Sequence, residues 1–181
     1  MSTTLTDELI RKAKRAAETA EKSRLEMLAA SDRRAEAVFA LWVEGMPVRK
    51  IAEAIGVSAS VSQRLLEKAR ESRPHLPRRE ERVSYELHRA VAEKVSEDPQ
   101  SVLSKARTNL QKMASRSRDA YAQGWVEEWN TLINGGDINR LVEGMLRTDE
   151  RGIDLRQVTP FAGVLSQEER LVAIHKAARA A

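Results

Sequence analysis

The sequence predicts an all-α protein, with an N-terminal helix-turn-helix domain and a C-terminal helical domain. Ala, Leu, Glu, Lys and Arg dominate its 181 residues, a composition that favours helix wherever apolar residues recur every three or four positions. Aromatic residues are few, and nowhere do β-branched residues alternate with polar ones as a half-buried strand requires. Pro74 and Pro77, three residues apart, separate the two sets of helical repeats and mark the best candidate for a domain boundary, because closely spaced prolines stop a helix and stiffen the connection.

Lys and Arg number 31 against 27 acids, giving a net charge of +4. The excess is small for the whole chain, so where the charge sits matters more than its total. There is no cysteine, which excludes a disulfide scaffold and thiolate metal sites and fits a reducing compartment. No apolar run approaches the length of a membrane span, and the N-terminus lacks the apolar core of a signal peptide. A soluble, cytoplasmic protein is expected.

Residues 1–30 are expected to form a helical arm, from Thr6 as cap to about Ala30, with Asp7 and Glu8 against the positive end of its dipole. Its apolar stripe is thin (Leu9, Ala13, Ala16, Ala20), as in a solvated helix. Arg11, Lys12, Lys14 and Arg15 also suit a basic arm on a phosphate backbone. Residues 31–73 hold the predicted helix-turn-helix domain. Ser31-Asp32 should cap a supporting helix with Ala35, Val38, Phe39, Leu41 and Trp42 in its core, ending before Gly45. The Met46-Pro47 loop follows, and then a short helix from Val48. Ile51, Ala52 and Ile55 give that helix its apolar stripe, and Ala52 is small where another helix must cross. Gly56 can take the left-handed conformation that ends it.

Ser58 or Ser60 can cap the next helix. Val61, Leu65, Leu66 and Ala69 should face inward, leaving Ser60, Ser62, Gln63, Arg64 and Lys68 for base edges and phosphates. In the usual motif a branched apolar residue stands six positions after the turn glycine, where this chain has Ser62, so a shortened turn or a rotated helix is one expectation. An ordinary helical hairpin with a glycine cap is the bland alternative. Residues 74–82 form a basic connection containing Arg78, Arg79 and Arg82, readable as a solvated linker or as a strap along phosphates.

Residues 83–181 are expected to fold as the C-terminal helical domain. Leu87, Val91 and Val95 recur at four-residue spacing in its first helix, which begins near Glu80. Asp98-Pro99 then gives a cap followed by proline at the first helical position. In the helix it opens, Val102, Leu103, Ala106, Leu110 and Met113 share one side. Lys105, Arg107, Lys112, Arg116 and Arg118 lie elsewhere, and no acid occurs between Gln100 and Arg118. A solvated face normally mixes both signs, so this surface is expected to face phosphates, with plain solvation as the alternative. Trp125, Val126, Trp129, Leu132 and Ile133 should form the core, and Gly135-Gly136-Asp137 a turn. Ile138, Leu141, Val142, Met145 and Leu146 read as the next amphipathic helix. Ser166-Gln167-Glu168-Glu169 is a capping box for the last helix, with Leu171, Val172 and Ile174 inward. The apolar loop Thr159–Leu165 should plug the core, or else offer Phe161 to a protein partner.

Catalysis is not expected. His75, His88 and His175 lack metal-ligand spacing, no glycine-rich phosphate loop or nucleophile motif occurs, and no cofactor is called for. Asp149-Glu150 and Glu168-Glu169 stand beside helix starts, where the dipole favours acids.

With the motif Ile51-Ala52-Glu53-Ala54-Ile55-Gly56-Val57-Ser58 in place, the chain resembles the mycobacteriophage Cluster A type of immunity repressor in length and plan. The stretches Tyr85–Ala92 and Leu155–Leu165 carry the resemblance further, and they also resemble segments of actinobacterial regulators of unassigned role. The resemblance implies a repressor of lytic promoters that also binds dispersed sites called stoperators and impedes elongation there. It further implies short asymmetric double-stranded DNA sites, read by one chain with two domains. The absence of a coiled-coil heptad leans the same way, toward a monomer. On this reading Gln63 and Arg64 contact bases, Arg49 and Lys50 meet phosphates, and Lys105, Arg107, Lys112 and Arg116 hold an adjacent segment of duplex. Two rivals stand beside it: an antitoxin-like autoregulator whose C-terminal domain binds a protein, and a piece of a transcription initiation factor.

Overall fold

The computed structural model describes residues 4–116 and 120–179. All regular structure among them is α-helical: α1 (Leu5–Val43), α2 (Val48–Ala54), α3 (Ala59–Glu71), α4 (Arg79–Glu97), α5 (Pro99–Arg116), α6 (Ala120–Asn134), α7 (Ile138–Leu146), α8 (Glu150–Gln157) and α9 (Gln167–Arg179). The chain divides between Ser72 and Arg73 into two compact units. No described helix is long and apolar enough to cross a membrane.

In the first unit, α1 is one unbroken helix, so Ser31-Asp32 caps nothing. Between Ala29 and Ala35 there is neither glycine nor proline, and both polar side chains have another use. Lys68 Nζ on α3 donates to Ser31 Oγ at 3.0 Å and pairs with Asp32 at 2.8 Å. The start of α1 also differs from expectation. Thr4, rather than Thr6, is the cap, in a reciprocal box with Asp7 that satisfies two free backbone donors. Every residue from Thr4 to Ala30 is exposed, and burial begins only with Ala35, Val38, Phe39 and Val43. Those four join Ile51, Leu66 and Ala69 in the core of this unit, with Trp42, Val48 and Leu65 half-buried against it.

The second unit starts with a packed segment instead of a loose linker. Leu76 is buried, and Arg82 Nη1 on α4 donates to the carbonyls of Leu76 and Pro77, each at 2.9 Å. Arg73 forms an ion pair with Glu86 at 2.7 Å in which each side chain is only 3% exposed. Asp98 caps α5 as expected, accepting from the Ser101 N–H at 3.1 Å. Asp137, Asp149 and the Ser166/Glu169 box open α7, α8 and α9.

Val91, Val95, Ala106, Leu110, Val126, Trp129, Ile133, Leu141, Met145 and Leu155 build the core of the second unit. Trp129 lies near its centre, its indole N–H donating to the Leu155 carbonyl at 2.9 Å. Phe161 meets the Trp129 ring edge-on at 5.1 Å and is only 5% exposed. The loop before α9 is therefore a plug, and Phe161 offers no surface to a partner. On α9 it is Ala173 and Ala177 that are buried, while Leu171 is exposed. Small residues on that face let α9 pack closely on α4.

Candidate nucleic-acid interface

The turn between α2 and α3 follows from its sequence. Gly56 has φ +69°. The Val57 N–H donates to the Ala52 carbonyl at 2.9 Å and the Gly56 N–H to Glu53 at 3.3 Å, the pair of bonds that closes a helix through a left-handed glycine. A residue with a Cβ would be strained at that φ. Ser58 then caps α3, its Oγ accepting from the Val61 N–H at 3.3 Å. The turn has its full length.

The rotation of α3 differs from the sequence expectation. Ser62, Leu66 and Ala69 are its buried residues, while Val61 and Leu65 are half-buried flanks. Ser62 is fully buried and, contrary to the sequence expectation, cannot face DNA. It occupies the position where the usual motif has a branched apolar residue, and the standard register holds with a serine in it. Its Oγ has no hydrogen-bond partner, and an unsatisfied buried hydroxyl is destabilising. Ser62→Ala is therefore expected to raise stability by about 1 kcal/mol in urea denaturation of the full chain, and a loss of stability would show that the hydroxyl is engaged. Ile55 is likewise displaced from the expected stripe: as the C-cap of α2 it is 37% exposed.

With that rotation, Ser60, Gln63, Arg64, Glu67 and Glu71 lie outside at three- and four-residue spacing, all exposed. Gln63 Nε2 donates to Glu67 Oε1 at 2.9 Å. The i+4 spacing of Gln63 and Glu67 in the sequence is the signal for this pair. The Glu67 charge disfavours phosphates beside the C-terminal half of α3. The nucleic-acid-compatible part of the helix is thus its first two turns, the part that reaches base edges in helix-turn-helix proteins. Arg64 is exposed there, as is Arg49 in the first turn of α2. Lys50 is 3.4 Å from Glu53, with both side chains largely exposed, a contact too weak to hold the lysine. Lys68 instead has a structural duty, joining α3 to α1 through Ser31 and Asp32.

On α5, Ser101, Ser104, Lys105, Thr108, Gln111, Lys112 and Ser115 form one exposed, acid-free stripe at helical spacing. Arg107 is not in that stripe: its Nε donates to Asn134 Oδ1 at the end of α6, at 2.8 Å. Lys105 Nζ donates to the Gly163 carbonyl at 2.5 Å, and Asn109 Nδ2 to the carbonyls of Pro160 and Ala162. At positions 105 and 109 the absence of an acid has this cause, since carboxylates cannot donate to carbonyl oxygens. Arg116 ends α5, but its side chain, like Arg118, lies outside the described residues. In the basic connection, Arg78 and Arg79 are exposed at the start of α4, with Arg78 3.7 Å from Glu81. The two units thus present separate candidate surfaces, the first turns of α2 and α3 and the α5 stripe.

Of the three histidines only His88 is buried. Its Nδ1 lies 2.7 Å from the Ser84 carbonyl and its Nε2 2.9 Å from Thr159 Oγ1, so it is a satisfied core residue. No group of His, Cys, Asp or Glu among the described residues could hold a metal ion. No protein family, curated protein or solved structure matches the chain.

Proposed function

We propose that the chain is a sequence-specific, double-stranded-DNA-binding repressor of the phage-immunity type, acting in the bacterial cytoplasm without cofactor or catalysis. The observation that carries this reading is the outer face of α3. Ser60, Gln63 and Arg64 are exposed together on its first turns, directly after a turn locked by Gly56. Such a helix fits the major groove. Gln there suits adenine and Arg suits guanine through paired hydrogen bonds. Arg49 and Lys50 are suited to the flanking phosphates. The acid-free stripe of α5, with Lys112 exposed on it, supports a second contact with the same duplex. Repression then follows from occupancy of a short asymmetric site, as the resemblance to Cluster A immunity repressors implies.

Selection of bound sites from random duplexes, followed by titration of the winning site, tests this directly. An asymmetric site longer than one motif is expected. Arg64→Ala should cost about 1–3 kcal/mol on that site and relax preference at one base pair. Lys112→Ala should weaken every sequence alike and reduce the slope of log affinity against log salt by about one. No enriched site, or an Arg64→Ala variant with unchanged preference, would overturn the proposal.

A further inference from the structure

Arg156 on α8 is only 2% exposed. Its Nη1 donates to the carbonyls of Met145, at 3.1 Å, and of Arg147, which fixes the plane of the guanidinium. Nε and Nη2, the parallel donors along another edge of the same plane, are buried with no hydrogen-bond partner. The Tyr85 ring lies 5.6 Å from the guanidinium carbon. Asp149 and Glu81 are the carboxylates close enough to act on this charge. Asp149 accepts from Arg147 and from the Gly152 N–H, and Glu81 lies beside Arg78. A buried cation lacking a paired counter-charge is costly, and its free two-donor edge matches a carboxylate in shape and charge.

Arg156 also lines a cleft of about 580 Å³ formed by α4, α9 and the loop before α9, within the range of small-molecule sites. Its walls are apolar, including Val83, Leu87, Phe161, Leu165 and Ile174. Arg79 and Arg170 are exposed residues of the lining, and Glu80 is its acidic member. His88 and Thr159, also in the lining, hydrogen-bond to each other. Nε and Nη2 of Arg156 are thus the polar feature still in need of a partner, and both are closed to solvent as the cleft stands.

We propose that this cleft binds a small aliphatic monocarboxylate. The cleft opens locally to bring Nε and Nη2 of Arg156 against the carboxylate, and the hydrocarbon chain lies along Val83, Leu87 and Ile174. The site is independent of the DNA-binding reading, since its evidence lies in the second unit alone.

Calorimetric titration of the full chain with decanoate, below its micelle concentration, tests the proposal. Saturable binding of one decanoate per chain is expected, together with a rise in melting temperature. Decanol should bind at least about tenfold more weakly, and Arg156→Gln should weaken decanoate to the same degree, the loss of one charge-assisted pair. Ile174→Trp, which narrows the cleft where the hydrocarbon chain lies and leaves the guanidinium alone, should weaken binding at least about tenfold and decides the matter if Arg156→Gln fails to fold. Absence of saturable binding would overturn the proposal. So would equal affinity for decanol, undiminished binding by either folded variant, or displacement of decanoate by equimolar inorganic phosphate.

Discussion

Replacing Arg73 by methionine should destabilise the second unit by about 3–5 kcal/mol, because it leaves the Glu86 carboxylate buried without its partner. The pair is unlike the other ion pairs described here. Its two side chains are each 3% exposed, with Arg73 Nε 2.7 Å and Nη2 3.5 Å from the two carboxylate oxygens. Pairs such as Arg24–Glu21 sit in solvent, where screening and side-chain entropy leave little net gain. Arg73 is also the first residue of its unit, so the bond anchors the entering chain to α4. The double variant Arg73→Met/Glu86→Leu should recover most of the loss, since an apolar pair of similar volume has no buried charge to satisfy. Urea denaturation of the two single variants and the double variant measures this as a coupling energy. Additive losses would show that the pair is not coupled.

Acidification from pH 6.5 to about 4 should cost the second unit about 3 kcal/mol through His88 alone. Burial is the main cause that lowers its pKa from 6.5 to about 4, and the nearby Arg156 charge acts in the same direction, against the Ser84 carbonyl. The folded state therefore binds the proton less readily than the unfolded chain. Stability is intact above pH 6.5 and declines as pH falls toward the folded value. The carboxylates of Glu169 and Asp149 are held below their ordinary values, chiefly by hydrogen bonds from Lys94 and Arg147 respectively, so they act in a more acidic window. His88→Gln should flatten the decline between pH 6.5 and 4. A slope unchanged in that variant would assign the effect elsewhere.

The fold was legible wherever one residue type has one local use. Asp98 before Pro99, the Ser166–Glu169 box and Gly56 all perform the backbone roles their types favour. Phe161 could be placed in a plug because an apolar loop must cover something. What escaped depends on neighbours distant in sequence. Ser31 and Asp32 look like a cap until Lys68 is brought against them. Arg107 and Lys105 look like free cations until Asn134 and Gly163 arrive as acceptors. Ser62 is the reverse case, a polar residue held inside because Leu66 and Ala69 set the rotation of α3. Arg156 gave no signal, since α8 has no strong apolar periodicity to say which of its residues turn inward.

A single rod that is one-third core and two-thirds bare has two kinetic lives. Along α1, amide protons between Ala35 and Val43 should trade with solvent only when the first unit opens as a whole, whereas those from Leu9 to Ala30 need only local melting. A protease could trim the outer two-thirds back toward Ser31 and leave the remaining helices standing.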